Sequence, residues 1–315
     1  MMESYKPQPL PPLDPNLDAT NNHYWSYHNL EALLDCKNPL TASKDEDLFI
    51  AIHQICELAF NQMLIDMERV LEALAVALKD EVDAVIGDTS EACYFFKRIL
   101  RLYEVVVTTM PILTTMRAFA EFRTTIGPTS GFQSFQFRHL EIMSGVPKYW
   151  EGGTNDAEGK PHIAETEFDR RYGDDIAKWF EQYRNHNLAY YYETLVNRAV
   201  GDSIEQQVAN LLNHPHANAI LKCMRTYDEY KSRFHQADLG LAVQQLKIVG
   251  DDIGTGGTSF RDYLAKYNKE QAPLFPGLTQ ISSSGQWKAF SNQPSAFSYF
   301  LVVYDSKAKQ SLYLR

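Results

Sequence analysis

Ser43-Lys-Asp-Glu-Asp-Leu-Phe-Ile-Ala-Ile-His-Gln-Ile-Cys-Glu-Leu-Ala-Phe-Asn-Gln-Met63 is the stretch from which the fold is read. From it onward Leu48, Ile52, Ile55, Leu58, Met63, Met67, Val70, Leu71 and Leu74 recur at mostly three- and four-residue steps, the period of one helix face. Ser43 followed by Glu46 has the pattern of a capping box, so one long helix is predicted over 43–79. Working outward, 91–126 reads as a second helical stretch, interrupted near Pro111 and ended by Gly127-Pro128. Residues 129–145 begin as a loop and turn helical, and 150–160 is a surface loop by composition. Helices are predicted over 172–199 and 203–213, with a break at His214-Pro215. The apolar pattern resumes over 216–249 and meets a glycine-rich turn, Gly254-Thr-Gly-Gly-Thr258, with a short helix expected over 259–267.

Both ends differ from this middle. Residues 1–22 hold five prolines, which forbid a helix and predict an extended arm. The 277–315 tail carries β-prone runs at 297–304 and 311–315 that predict a short hairpin or a segment packed on the helices. The expected organisation is an arm (1–22), one all-α domain built as a long-helix bundle (23–276) and an extension packed on it (277–315).

A net charge of −10 argues against nucleic acid or an anionic membrane as the main partner. No run of eighteen apolar residues is present, so no membrane span is expected. The N-terminus lacks the basic start and apolar middle of a signal peptide. Four separated cysteines, Cys36, Cys56, Cys93 and Cys223, read as reduced thiols of a cytoplasmic protein. With 18 Tyr and 17 Phe, the chain can line a large interior with aromatic rings.

Several residues could carry chemistry, each with an ordinary structural role beside it. Phe49 and His53 share a helix face, although a histidine in an apolar stripe is most often a core residue bonded to a carbonyl. Arg123, among Phe119 and Phe122, could fork onto a carboxylate or form a structural ion pair. Ser130-Gly-Phe-Gln-Ser-Phe-Gln-Phe-Arg138 is dense in rings and amides, as a tight polar–apolar junction would be. The 254–258 turn offers backbone N–H groups to an anion such as an amino acid carboxylate, or is a plain flexible turn. His235 lies on a predicted helix and could serve as a haem axial ligand or as a core residue. His214-Pro-His216 suggests a metal pair, but no carboxylate or cysteine cluster completes it.

Taken together, these pieces resemble the tryptophan 2,3-dioxygenase family. Leu48–Gln62 is similar to its signature helix, Phe122-Arg123 with 130–138, Glu141 and Gly145 to its second signature, and 254–258 with Tyr263-Leu264 to its third. Tyr24 and Tyr27, with Leu30, Leu33 and Leu34 behind them, resemble its N-terminal motif. The resemblance implies an all-α bundle enclosing a b-type haem, usually as a homotetramer, that adds dioxygen across the indole 2,3-bond of tryptophan. It implies His53 as the distal, catalytic histidine, Phe49 and Phe119 packed at the indole, and Arg123 on the substrate carboxylate. Thr255 would contact the carboxylate or ammonium, Tyr24 and Tyr27 a neighbouring subunit's site, and Ser130, Gly131 and Phe132 the cofactor.

The chain also departs from the family. Ala59 and Asn61 stand where the family has Trp and Lys, Phe119 where a Tyr is common, and Phe260 where a Gly follows the third signature. Family spacing places the iron ligand at Leu241, which cannot bind a metal; His235, six residues earlier, is the expected substitute. Six residues turn a helix by about 600°, so the two do not share a face. The departures leave open a substituted tryptophan or indole as substrate, monooxygenation or peroxide-driven hydroxylation, and a non-catalytic binding protein on the same scaffold.

Overall fold

A computed structural model describes residues 24–79, 85–126, 134–146, 167–249 and 273–278. The arm, the 254–258 turn, the short helix after it and the C-terminal β-prone runs lie outside the described residues. Every regular element among the described residues is helical. In chain order they are α1 (Tyr24–Tyr27), α2 (Leu30–Asp35), α3 (Glu46–Ala77), α4 (Ser90–Thr109), a 3-10 segment (Met110–Thr115), α5 (Phe119–Ile126), α6 (Phe135–Ser144), α7 (Glu167–Gln182), α8 (Leu188–Asn197), α9 (Ile204–Leu211) and α10 (Pro215–Val249).

The 32-residue α3 forms the middle of the bundle, packed chiefly on α4 and also on α6 and α8. Its buried stripe runs Ile52, Cys56, Ala59, Phe60, Met63, Met67, Val70, Leu71, Leu74 and Ala77. Two residues of the expected stripe, Ile55 and Leu58, fall outside it and are 41% and 55% exposed. Both sides of the early helix are apolar, so periodicity alone does not fix which one faces inward. α3 is also the one described helix long and apolar enough to cross a membrane by length and composition. Its apolar side is used in the core, and it carries the fully buried Asp66, held by Arg69 at 2.9 Å and Arg98 at 3.2 Å.

The expected capping box does not form. Glu46 turns back instead, accepting hydrogen bonds from the Leu40 and Thr41 amides at 2.8 and 2.7 Å and from the Thr41 hydroxyl. The 91–126 stretch is divided as Pro111 predicts, since the 3-10 segment begins there. The predicted 172–199 helix is two helices. Tyr183–Asn187 separates them, and Asn187 caps α8 by accepting from the Tyr190 amide at 2.8 Å.

α10, 35 residues long, packs against α4 along its course and reaches the 3-10 segment and α5. Gln244 and Gln245 near its end donate to the Thr114 and Leu113 carbonyls at 3.0 and 3.3 Å. Its start is set by Pro215 at the first helical position, and its buried middle carries Ile220, Leu221, Met224 and Tyr227.

Gly145 ends α6 at φ +86°, and the Val146 amide reaches back to the Glu141 carbonyl at 3.0 Å. A β-carbon there would lie 2.4 Å from Asn187 Oδ1 and 2.5 Å from the Ala189 β-carbon, so the glycine also lets α8 approach. Phe275 and Leu278 are buried, and Phe275 stacks edge-on against Tyr192 at 5.3 Å.

Candidate functional site

The start of α3 and the short α5 bring three of the expected substrate residues, Phe49, His53 and Phe119, together. Phe49 and His53 are one turn apart on α3, their rings 4.1 Å between centroids. His53 Nδ1 lies 2.8 Å from the Phe49 carbonyl oxygen. A carbonyl only accepts, so Nδ1 carries the proton and Nε2 keeps its lone pair. Desolvation lowers the His53 pKa, opposed by that carbonyl bond and the charge of Glu57, and the ring is neutral near pH 7.

Across from Phe49 stand Phe119 at 6.1 Å and Phe122 at 5.4 Å, themselves 5.3 Å apart and perpendicular. Phe122 is fully buried. Arg123 is half-buried and follows Phe119 by four residues, on the same side of α5. An aromatic wall and a neutral imidazole therefore meet where α5 approaches α3, with Arg123 carried on that same α5.

One residue that fixes this crossing escapes the sequence reading. Asp45, at the N-terminus of α3, makes no side-chain cap on its own helix. Its Oδ2 accepts hydrogen bonds from the amides of Arg117 and Ala118, both at 2.7 Å, just ahead of α5. An acid before a helix is ordinarily taken to cap that helix, and only the tertiary fold shows that it holds another.

The described end of the second signature, from Ser134 on, forms a junction between helices. Gln136 on α6 donates to the Glu57 carbonyl at 2.8 Å and carboxylate at 2.9 Å, and Asn61 donates to Gln136 at 2.7 Å. Asn61, one of the departures, is thus part of the α3–α6 contact, and Ala59, another, is buried. Arg138 and Glu141 form a buried ion pair at 2.5 Å.

His235, the expected iron ligand, is buried on α10, with Nε2 3.7 Å from Glu141 Oε1. Its ring lies 5.7 Å from Phe137, which touches Phe60 at 5.3 Å and Phe234 at 4.9 Å; Phe60 closes the triangle with Phe234 at 5.8 Å. Burial, Lys231 and Arg138 hold its pKa well below the usual histidine value. A neutral buried imidazole beside a carboxylate suits a metal ligand chemically. The Nε2–Glu141 separation is too long for a hydrogen bond, and phenylalanine rings lie on the side toward α3.

Tyr24 and Tyr27 are 70% and 75% exposed on α1. Ser130, Gly131, Phe132 and Thr255 lie outside the described residues. His214 and His216 have ring centroids 5.9 Å apart, but no group of three or more metal-binding side chains occurs among the described residues.

The helical bundle and this site define a class of protein: an all-α scaffold with an aromatic cluster where two of its helices approach. The profile of the family described as Tryptophan 2,3-dioxygenase matches residues 14–234, well over half of the chain, and the chain belongs to that family. The match ends one residue before His235. A tryptophan 2,3-dioxygenase of Anaeromyxobacter sp. (strain K) is 35% identical over 134 residues, 42% of this chain and 47% of that protein. One of Ruegeria sp. (strain TM1040) is 28% identical over 280 residues, 81% of this chain and 90% of that protein. One of Anopheles gambiae is 31% identical over 175 residues, 50% of this chain and 43% of that protein. The chain thus spans about half the length of the Anaeromyxobacter and Anopheles relatives and nine tenths of the Ruegeria one.

Proposed function

We propose that this chain is a haem-dependent oxygenase of tryptophan or a substituted indole, adding both atoms of dioxygen across the indole 2,3-bond to give an N-formylkynurenine-type product. The observation that carries the reading is the cluster of Phe49, His53, Phe119 and Phe122 at one helix crossing, with Arg123 on the same short helix as the last two. Each supplies something such a substrate needs. The phenylalanines give the indole an apolar bed and exclude water. His53 Nε2 accepts the indole N–H, held in that tautomer by the Phe49 carbonyl. Arg123 forks onto the carboxylate, and Thr255 completes the grip on the amino acid end.

In this family the oxygen chemistry comes from haem, expected here as haem b, which binds and activates dioxygen. His235, buried on α10, would hold its iron, and the chain's other contributions are read from the substrate side. Exposed Ile55, Leu58 and Ile65 on α3, together with Tyr24 and Tyr27, support a homotetramer in which surfaces open in one chain are covered by another. Four free cysteines support a cytoplasmic setting.

The test is aerobic incubation of haem-supplemented, reduced protein with L-tryptophan and substituted indoles, the products read by mass spectrometry. Gain of two oxygen atoms is the expected result. Gain of one atom would replace dioxygenation with hydroxylation, and recovery of every substrate unchanged would overturn the oxygenase reading.

A further inference from the structure

We propose that Cys93 on α4 and Cys223 on α10 form a peroxide-responsive dithiol, whose closure to a disulfide clamps the two helices together. Both are free thiols in the structure, and both are buried. The proposal rests on the packing of α4 against α10 and is independent of the substrate site at α5.

Helix register brings the two cysteines level. At the start of both helices the Thr89 hydroxyl donates to the His216 carbonyl at 2.9 Å. Further along, Phe96 meets Tyr227 at 5.7 Å, and Tyr103 meets Tyr230 and Phe234, each at 6.3 Å. The helices therefore run side by side in the same direction. Cys93 lies between Thr89 and Phe96, and Cys223 between His216 and Tyr227, so the same contacts bracket both. Cys93 precedes Phe96 by three residues and Cys223 precedes Tyr227 by four, about 4.5 and 6 Å along the two axes. Within this bracket the sulfurs are hydrogen-bond partners, Cys223 donating to Cys93.

The two thiols differ in character. Cys93 closes the first turn of α4, its amide bonded to the Thr89 carbonyl at 2.9 Å, and the positive end of a helix favours a thiolate. The hydrogen bond from Cys223 lowers the Cys93 pKa, with help from Thr89 and Lys97 and against burial and Asp88. That same hydrogen bond, burial and the charge of Cys93 push the Cys223 thiol up, against Lys97 and Lys222. Cys93 is thus the attacking sulfur and Cys223 the resolving one. The other two cysteines lack this arrangement: burial pushes the Cys56 thiol up to about 12, and Cys36 is exposed.

Cys93 and Cys223 are each 6% exposed, which admits an oxidant as small as hydrogen peroxide and keeps out a bulky disulfide. The Cys93 thiolate attacks one peroxide oxygen and the O–O bond breaks. The departing hydroxide takes up the thiol proton and leaves as water, with Cys93 as a sulfenic acid. The Cys223 sulfur then displaces the hydroxyl from Cys93, its proton leaving with that hydroxyl as a second water. The two sulfurs are oxidised by two electrons in all, and the peroxide is reduced to two waters.

The test treats full-length, pre-reduced protein with hydrogen peroxide, alkylates the remaining thiols, digests it without reduction and reads the peptides by mass spectrometry. A cross-linked Cys93–Cys223 peptide that dithiothreitol removes is expected, with a higher urea midpoint in the oxidised protein than in the reduced one. Cys223→Ser is expected to leave Cys93 as a sulfenic acid that dimedone traps, and Cys93→Ser to leave Cys223 reduced. The wild-type peptides answer the question even where a variant fails to fold. Cys93 and Cys223 still reduced after the exposed Cys36 has been oxidised, or each joined to some other cysteine, would overturn the proposal.

Discussion

Asp45 and Ala118 are 73 residues apart, and the carboxylate of one accepts the amide of the other at 2.7 Å, with the Arg117 amide bound to the same oxygen at the same distance. The helix bearing Phe49 and His53 is thereby tied to the segment that launches Phe119 and Arg123. Hydrogen bonds to a charged group contribute about 1.5–3 kcal/mol each. Part of that is offset here because the two donors share one oxygen near the surface. Asp45→Ala is expected to lower stability by about 2 kcal/mol and to weaken L-tryptophan binding more than indole binding, because Arg123 shifts relative to Phe49. Asp45→Asn, which keeps one acceptor oxygen, restores part of both. Urea unfolding and calorimetric titration check this; equal loss of both ligands would show that Asp45 acts on stability alone.

Gly145→Ala is expected to destabilise the fold by about 2–4 kcal/mol. A left-handed backbone costs a residue with a β-carbon roughly 1–2 kcal/mol, and overpacking adds about 1–3. The β-carbon meets Asn187 and Ala189 at the start of α8, which must retreat. A urea midpoint equal to wild type would contradict this account of the α6–α8 contact.

Acid sensitivity has a defined window. His139 stacks flat on Trp179 at 4.0 Å, its Nε2 is buried without a hydrogen-bond partner, and desolvation lowers its pKa from 6.5 to about 4. Above pH 6.5 the ring is neutral in both the folded and the unfolded chain. Between 6.5 and about 4 the unfolded chain binds a proton that the folded one refuses, so stability falls as pH falls through that window and levels off below it. The pKa values of His53 and His235 are lowered in the same direction and add to the slope. His139→Phe, which keeps an aromatic ring against Trp179, is expected to flatten the dependence of unfolding free energy on pH between 6.5 and 4.5. An unchanged slope would place the effect in other groups.

The long helices are legible in the sequence because their apolar period is uninterrupted, and Pro111 and Pro215 announce their own boundaries. Phe49, His53, Phe119 and Arg123 are legible through the resemblance, and the rings of the first three cluster where α5 approaches α3. What stays hidden is set by contacts between distant segments. The inward side of α3 cannot be chosen from periodicity, because Ile55 and Leu58 are as apolar as the residues that are buried. Glu46 has the spacing of a capping residue but finds the Leu40 and Thr41 amides first, since the chain before α3 folds back over it. Asp45 looks like a local cap and serves a helix far along the chain. His235 reads as a ligand because a histidine is expected in that region, and its nearness to Glu141 of α6 emerges only when the helices pack.

The account rests most directly on Arg123 gripping a carboxylate at the α3–α5 crossing. The decisive measurement is calorimetric titration of L-tryptophan and of indole into wild-type and Arg123→Ala protein. A charge-assisted pair contributes about 1.5–3 kcal/mol, so tryptophan affinity is expected to fall by about 10- to 100-fold in the variant while indole affinity stays the same. Equal weakening of both ligands, or no weakening of tryptophan, would contradict it.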